Sequence, residues 1–182
     1  MRVLVLFAHP ATQRSVANSA LVEAVRDVAG VTFHDLYEAY PDLLIDIEAE
    51  QDLLLRHDAL VLQHPFYWYA APAILKEWLD VVLEHGFAYG SDAHAIVGKP
   101  WMQAITTGGG ADAYHPQGSN RFTIDELLRP FEATASLCRA RWLEPFTLHA
   151  AHNLDPAGLA SEADRYRRRI EALVREPAPV LP

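Results

Sequence analysis

Val3-Leu4-Val5-Leu6-Phe7-Ala8-His9-Pro10-Ala11-Thr12-Gln13-Arg14-Ser15-Val16-Ala17-Asn18 is the stretch on which the fold turns. Its first six residues form an uninterrupted apolar run rich in β-branched side chains, the pattern of a parallel strand covered by helices on both faces. A polar loop, His9 to Ser15, follows. Beyond it Ala17, Leu21, Ala24, Val25 and Val28 recur at helical spacing, which predicts a helix that Gly30 stops. Strand, polar loop and helix in that order begin a βαβ unit.

The same alternation continues outward. Val31 to Leu36 predicts a second, shorter strand, Glu48 to Arg56 a second helix, and Ala59 to His64 a third strand that ends at Pro65. Ala73 to His85 reads as a long helix with Leu75, Leu79, Val82 and Leu83 on one side. Trp101 to Thr106 is the fourth strand, Ile124 to Arg139 a helix, Arg141 to His149 the fifth strand and Leu159 to Val174 the last helix. Five strands alternating with five helices predict an α/β fold with a doubly wound parallel sheet. The order 2-1-3-4-5, with helices on both faces, makes it a three-layer, flavodoxin-like architecture. Residues 1–175 are expected to form one domain, and 176–182, with Pro177, Pro179 and Pro182, a frayed tail.

Composition narrows the function. Of 182 residues 51% are apolar and 21% charged, as in a globular chain, and no segment approaches the roughly 18–20 apolar residues of a membrane helix. The Val3 to Ala8 run is too short for a signal-peptide core, so the cytoplasm is the expected compartment. A net charge of -9 argues against a nucleic-acid surface. The basic cluster Arg165, Arg167, Arg168 and Arg169 lies among Glu162, Asp164 and Glu171 and reads as a solvated helix face. Cys138, the single cysteine, sits on the apolar stripe Leu127, Phe131, Ala135, Cys138 and reads as a buried structural thiol. Nine histidines raise a metal reading, but there is no His-Glu-x-x-His, and His149 with His152 lacks further ligands at metal spacing, so no metal is expected.

In doubly wound sheets ligands sit beyond the carboxyl ends of the strands where strand order reverses, here the loops after strands 1 and 3 with that after strand 4 beside them. The first loop, His9 to Asn18, leads polar groups onto a helix N-terminus, where free N–H groups favour a phosphate; Ser15 as a plain N-cap is the alternative reading. Neither a G-x-G-x-x-G nor a G-x-x-x-x-G-K follows the strand, which disfavours a dinucleotide bound in Rossmann fashion and excludes a P-loop. After strand 3, His64-Pro65-Phe66-Tyr67-Trp68-Tyr69-Ala70-Ala71-Pro72 sets four consecutive aromatics between prolines, which a planar aromatic ligand would explain. After strand 4, Thr106 and Thr107 precede Gly108-Gly109-Gly110, whose lack of Cβ lets backbone approach a ligand closely. Phosphate anchor, aromatic wall and glycine loop together describe a flavin site.

These motifs, with Leu36-Tyr37, Tyr40-Pro41-Asp42, Asp46-Ile47, Pro72 to Trp78, Gly86-Phe87-Ala88-Tyr89-Gly90 and Leu127-Leu128-Arg129-Pro130, make the chain from Val3 to about Leu173 resemble the NAD(P)H:quinone oxidoreductases of the flavodoxin-like superfamily. The resemblance is strongest to the ancillary oxidoreductase subunits of glutathione-gated potassium efflux systems. It implies FMN, with FAD as the alternative, NAD(P)H as hydride donor and a quinone as acceptor. It also implies a homodimer, with Gly86 to Tyr89 facing the partner's flavin, and peripheral docking on a membrane potassium efflux transporter. His9, Ser15, Val16, Ala17 and Asn18 would hold the phosphate and ribityl chain. Pro65, Phe66, Tyr67, Trp68, Tyr69, Thr106, Thr107, Gly108 and Gly109 would line the isoalloxazine, with Tyr114 near its pyrimidine edge. Where better-known relatives place a histidine after that tyrosine this chain has Asn120, so Tyr114 and Asn120 are the candidate catalytic residues and His115 a spare. The competing readings are a flavodoxin-type electron carrier without its own turnover and a non-enzymatic regulator that docks on a membrane transporter with a structural flavin.

Overall fold

In the computed structural model, which describes residues 1–179, the opening run is strand β1 (Val3–Phe7), with all five residues buried. It pairs in parallel with β2 (Val31–Asp35) on one side and β3 (Ala59–Pro65) on the other, Val5 lying opposite Phe33 and Val61. β3 pairs with β4 (Pro100–Thr106), and β4 with β5 (Arg141–Trp142) and β6 (Phe146–Leu148), every pair parallel. The order is β2-β1-β3-β4-β5, the expected 2-1-3-4-5, with β6 continuing the last strand along β4.

Alternate strand residues feed two cores. Val3, Val5, Val61, Met102 and Ala104 face α1 (Val16–Val25) and α7 (Pro156–Arg175), which bury Leu21, Val25, Tyr166 and Ile170. Leu4, Leu6, Leu60, Leu62 and Trp101 face the opposite layer. There α3 (Ile47–Arg56) contributes Leu54, α4 (Ala73–Val82) contributes Ile74, Leu75 and Trp78, and α6 (Arg129–Leu137) contributes Ala135, with Cys138 just beyond it. Cys138 is buried, and burial pushes its thiol up to about 11, so it is inert.

Several boundaries depart from the sequence pattern for local reasons. The first helix stops at Val25 rather than at Gly30. Val28 donates to Val25 O, and Gly30 takes φ 89 so that its carbonyl reaches Val3 N at 2.8 Å, a turn that a continuing helix would forbid. Leu36, expected to end β2, opens a short helix α2 (Leu36–Ala39), because the Asp35 carboxylate accepts from Tyr37 N and Glu38 N at 3.0 and 3.3 Å. The helix expected to reach His85 ends at Val82. The helix expected over 124–139 is two: α5 (Ile124–Leu127), with a Thr123–Glu126 capping box, and α6, restarted where Pro130 cannot donate to the preceding turn. The fifth strand is likewise cut into β5 and β6 around Pro145. The five expected helices are therefore seven among the described residues, with 3-10 turns over 12–14 and 111–113. Of the expected tail, Glu176 pairs with Arg141 and accepts from the N-terminal amine through its carbonyl; residues 180–182 lie outside the described residues.

Three of the four clustered arginines of α7 take acidic partners, Arg165 with Glu162, Arg167 with Glu171 and with Asp27 in the turn after α1, and Arg168 with Asp164, while Arg169 reaches the Glu144 carbonyl. No helix among the described residues is long and apolar enough to cross a membrane.

Candidate functional site

The carboxyl ends of β1, β3 and β4 open onto a cavity of about 270 Å³. From β1, His9 is buried and its Nδ1 accepts from Ala11 N at 3.0 Å, so the proton of the neutral ring sits on Nε2; burial holds its pKa below the ordinary imidazole range. A 3-10 turn, Thr12–Arg14, then delivers Ser15 to the start of α1. Ser15 is the N-cap, its Oγ accepting from Asn18 N at 3.3 Å. Capping leaves the N–H groups of Val16 and Ala17 for another partner, at the positive end of a ten-residue helix. Ser15 is thus the N-cap of the alternative reading.

Asn18 is the informative side chain. It is buried, and its Nδ2 donates at 3.0 Å to both Ser15 Oγ and Thr106 Oγ1, joining the first loop to the end of β4. Its Oδ1 is buried with no hydrogen-bond partner, an acceptor that the protein leaves unsatisfied beside the cavity.

His9, Ser15 to Asn18, Pro65 to Tyr67 and Thr106 to Gly108 share this one cavity, as the loop argument expected, and no carboxylate lines it. Trp68, Tyr69, Gly109, Tyr114 and Asn120 stand outside its wall. Trp68 and Tyr69 form the tip of a tight turn closed by Ala70 N to Tyr67 O at 3.0 Å, with Trp68 92% exposed. Tyr69 donates its hydroxyl to Asn120 Oδ1 at 2.9 Å, so Asn120 tethers the aromatic turn instead of facing the cavity. Around Asn120 the loop closes on itself: Asn120 N reaches Ala113 O at 3.0 Å, and a Cβ at Gly118 would lie 2.4 Å from that oxygen. Tyr114 lays its ring against His149, centroids 5.5 Å apart, and His115 Nδ1 accepts from Gln117 N within its own turn.

Arg14, Ala151, His152, Leu154 and Leu159 complete the wall and were not anticipated. The last four follow β6, and only the pairing of β6 with β4 brings them here. Arg14 carried a signal that could have been used, a cation one residue before a helix N-cap.

Fold and site together define a doubly wound α/β protein with a cavity at the reversal of strand order, lined by a helix N-terminus, Arg14, Gly108 and a buried amide side chain whose oxygen has no partner, and by no carboxylate. The chain belongs to the Flavodoxin_2 family, described as flavodoxin-like fold, whose model matches residues 1–170. It is 52% identical over 165 residues to a glutathione-regulated potassium-efflux system ancillary protein, KefG, of Pectobacterium carotovorum subsp. carotovorum (strain PC1), covering 91% of this chain and 90% of that one. Among solved structures, general stress protein 14 of Treponema denticola, in complex with FMN, superposes with a TM-score of 0.88 at 38% identity, over 95% of this chain and 99% of that one. An NADPH-quinone reductase from P. pentosaceus superposes with a TM-score of 0.85 at 34% identity, over 93% and 97%.

Proposed function

We propose that the protein is a flavin-dependent NAD(P)H:quinone oxidoreductase that takes FMN, works as a homodimer and docks on a potassium efflux transporter. The observation that carries the flavin reading is Asn18 Oδ1, buried without a donor on the wall of a cavity that no carboxylate lines. A hydroxyl-bearing, anionic ligand answers both features: a hydroxyl donates to Oδ1, and a phosphate takes the free N–H groups of Val16 and Ala17 with Arg14 beside them. Gly108 fits the reading as well, because a Cβ there would meet nothing within 4 Å. The oxidoreductase and its FMN are supported by the solved relatives, one titled as an FMN complex and another as an NADPH-quinone reductase, and transporter docking by the printed name of the 52% identical relative.

In this reading Ser15 to Asn18 hold the phosphate and the polar chain, while Pro65 to Tyr67 and Thr106 to Gly108 wall the ring system. Bound flavin supplies two-electron hydride chemistry, and the protein supplies position and electrostatics. His9, neutral with its Nε2–H free to donate, adds a hydrogen bond without a full charge. Phe66 and the buried Pro65 keep water from one side of the cavity.

Mass measurement of the cofactor released on denaturation tests the binding half, with FMN as the expected species. Steady NADPH or NADH oxidation with a soluble quinone tests the other half. A protein that binds FMN but shows no turnover with any quinone would be an electron carrier, and a protein purified colourless that binds neither FMN nor FAD would overturn the reading.

A further inference from the structure

His149 is the first residue after β6, behind the glycine loop and outside the cavity wall. Three backbone hydrogen bonds join its surroundings to that loop: Thr107 N to Leu148 O, Ala150 N to Gly109 O and Ala151 N to Thr107 O, each 2.9 Å. Ala150 holds φ 51, a left-handed conformation that an alanine adopts only under constraint. Its Nδ1 lies 3.2 Å from Thr107 Oγ1. The single hydroxyl proton of Thr107 is given to Gly109 O at 2.8 Å, so Oγ1 accepts and His149 Nδ1 carries the hydrogen. On its face the imidazole carries the Tyr114 ring at 5.5 Å and 42°. Burial, with the Arg165 guanidinium adding to it, holds the ring below the ordinary imidazole range, against the opposing pull of Glu162 and the Gly109 carbonyl.

We propose that His149 is a positioning residue of the cofactor site: its Nδ1–H fixes Thr107 and, through the Thr107 hydroxyl, the Gly109 carbonyl, while its ring seats Tyr114. The inference rests on the flavin reading for what the loop positions, but not for the relay itself. The relay runs from the end of β6 to the loop after β4 through Thr107, which walls the cavity beside Gly108, so an outer histidine sets the placement of the backbone a ligand would touch.

Two substitutions separate the parts. His149→Phe keeps a ring for Tyr114 and removes the donor; His149→Asn keeps an amide N–H near the position of Nδ1 and removes the ring. Hydrogen exchange at the Thr107, Ala150 and Ala151 amides, read by NMR on the flavin-free protein, is expected to quicken about tenfold in His149→Phe and to stay within about threefold of wild type in His149→Asn. FMN dissociation constants from fluorescence titration should follow the same order, and Thr107→Val should abolish the advantage of asparagine over phenylalanine. Unchanged exchange in His149→Phe, or asparagine no better than phenylalanine in the Thr107 background, would overturn the relay. Should His149→Phe fail to fold, His149→Leu replaces it as the variant without a donor, and exchange no faster in it than in His149→Asn would overturn the relay. Wild-type protein that ignores FMN while its exchange responds as expected would overturn the flavin reading and leave the positioning intact.

Discussion

At the residue scale the glycine loop makes the sharpest distinction. A Cβ added to Gly108 meets nothing within 4 Å, whereas one at Gly109 meets Tyr114 Cε2 at 3.2 Å, Ala113 Cβ at 3.3 Å and Asn120 Nδ2 at 3.5 Å. The two neighbours therefore face different things, Gly108 the cavity and Gly109 the Tyr114 loop. Gly108→Val is expected to weaken FMN binding at least about tenfold, with a melting temperature within about 2 °C of wild type, because its side chain starts from a Cβ in open space at the cavity wall. Gly109→Val is expected to do the reverse, lowering the melting temperature by crowding Tyr114 while the cavity stays open. Fluorescence titration and thermal melts of both variants check this, and normal FMN affinity in Gly108→Val would mean that the ligand does not lie against it. A triple glycine announces close backbone approach without saying which of its members makes it, which is why sequence alone treated the run as one unit. Ser15 to Asn18 were legible because strand, loop and helix follow one another directly. Ala151 to Leu159 were not, since they reach the cavity only after a register between β4 and β6 that no local pattern encodes.

At the scale of elements, one carboxylate ties three of them together. Glu50 on α3 is fully buried; its Oε1 accepts from His34 Nε2 of β2 and from the Tyr40 hydroxyl, both at 2.7 Å, and its Oε2 accepts from Trp78 Nε1 of α4 at 2.8 Å. Burial alone raises its pKa, but the hydrogen bonds from His34, Tyr40 and Trp78 more than offset that and hold it below the ordinary glutamate value. Because the folded-state value is depressed, the stabilisation is present above the unfolded value and is lost as pH falls through the folded one. Glu50→Gln turns an N–H group toward these donors and is expected to cost about 2–3 kcal/mol at pH 7, roughly 4–12 °C in melting temperature, with the gap closing below about pH 4. Thermal unfolding of both proteins from pH 3 to 8 measures it, and parallel curves throughout would mean that the charge contributes nothing. None of this network was visible beforehand, because its members are far apart in sequence and each alone is an ordinary polar residue. The elements themselves were legible from apolar periodicity, and the misplaced ends mark where punctuation outweighed it. Pro130 and Pro145 each cut an element that periodicity had joined, and the Asp35 carboxylate started a helix where β-branched neighbours suggested strand.

At the scale of the whole molecule, the feature the monomer does not explain is its aromatic tip. Trp68 and Tyr69 are consecutive non-glycine residues at φ 51 and 61, a conformation that costs each of order 1 kcal/mol, and Trp68 is 92% exposed, with Tyr67 and Tyr69 about half so. Within one chain the turn is held by the Ala70–Tyr67 hydrogen bond and the Tyr69–Asn120 contact, yet nothing among the described residues covers the indole. A strained turn that displays an aromatic to solvent beside the candidate site is the kind of feature a second subunit would justify, by burying some 150–250 Å² of Trp ring on association. The wild-type protein is therefore expected to sediment as a dimer at micromolar concentration. Trp68→Gly makes the test sharper, because glycine tolerates the left-handed conformation. The monomer should gain up to about 1 kcal/mol or stay level, as relief of strain competes with glycine's greater chain entropy, while the dimer loses its anchor and dissociates at least about tenfold more readily. Sedimentation velocity across a concentration series, with chemical denaturation at the lowest concentration, reads both effects separately. A wild-type monomer, or a Trp68→Gly dimer of undiminished affinity, would show that the indole serves something other than self-association, and the strain at 68 and 69 would then need a different partner to account for it.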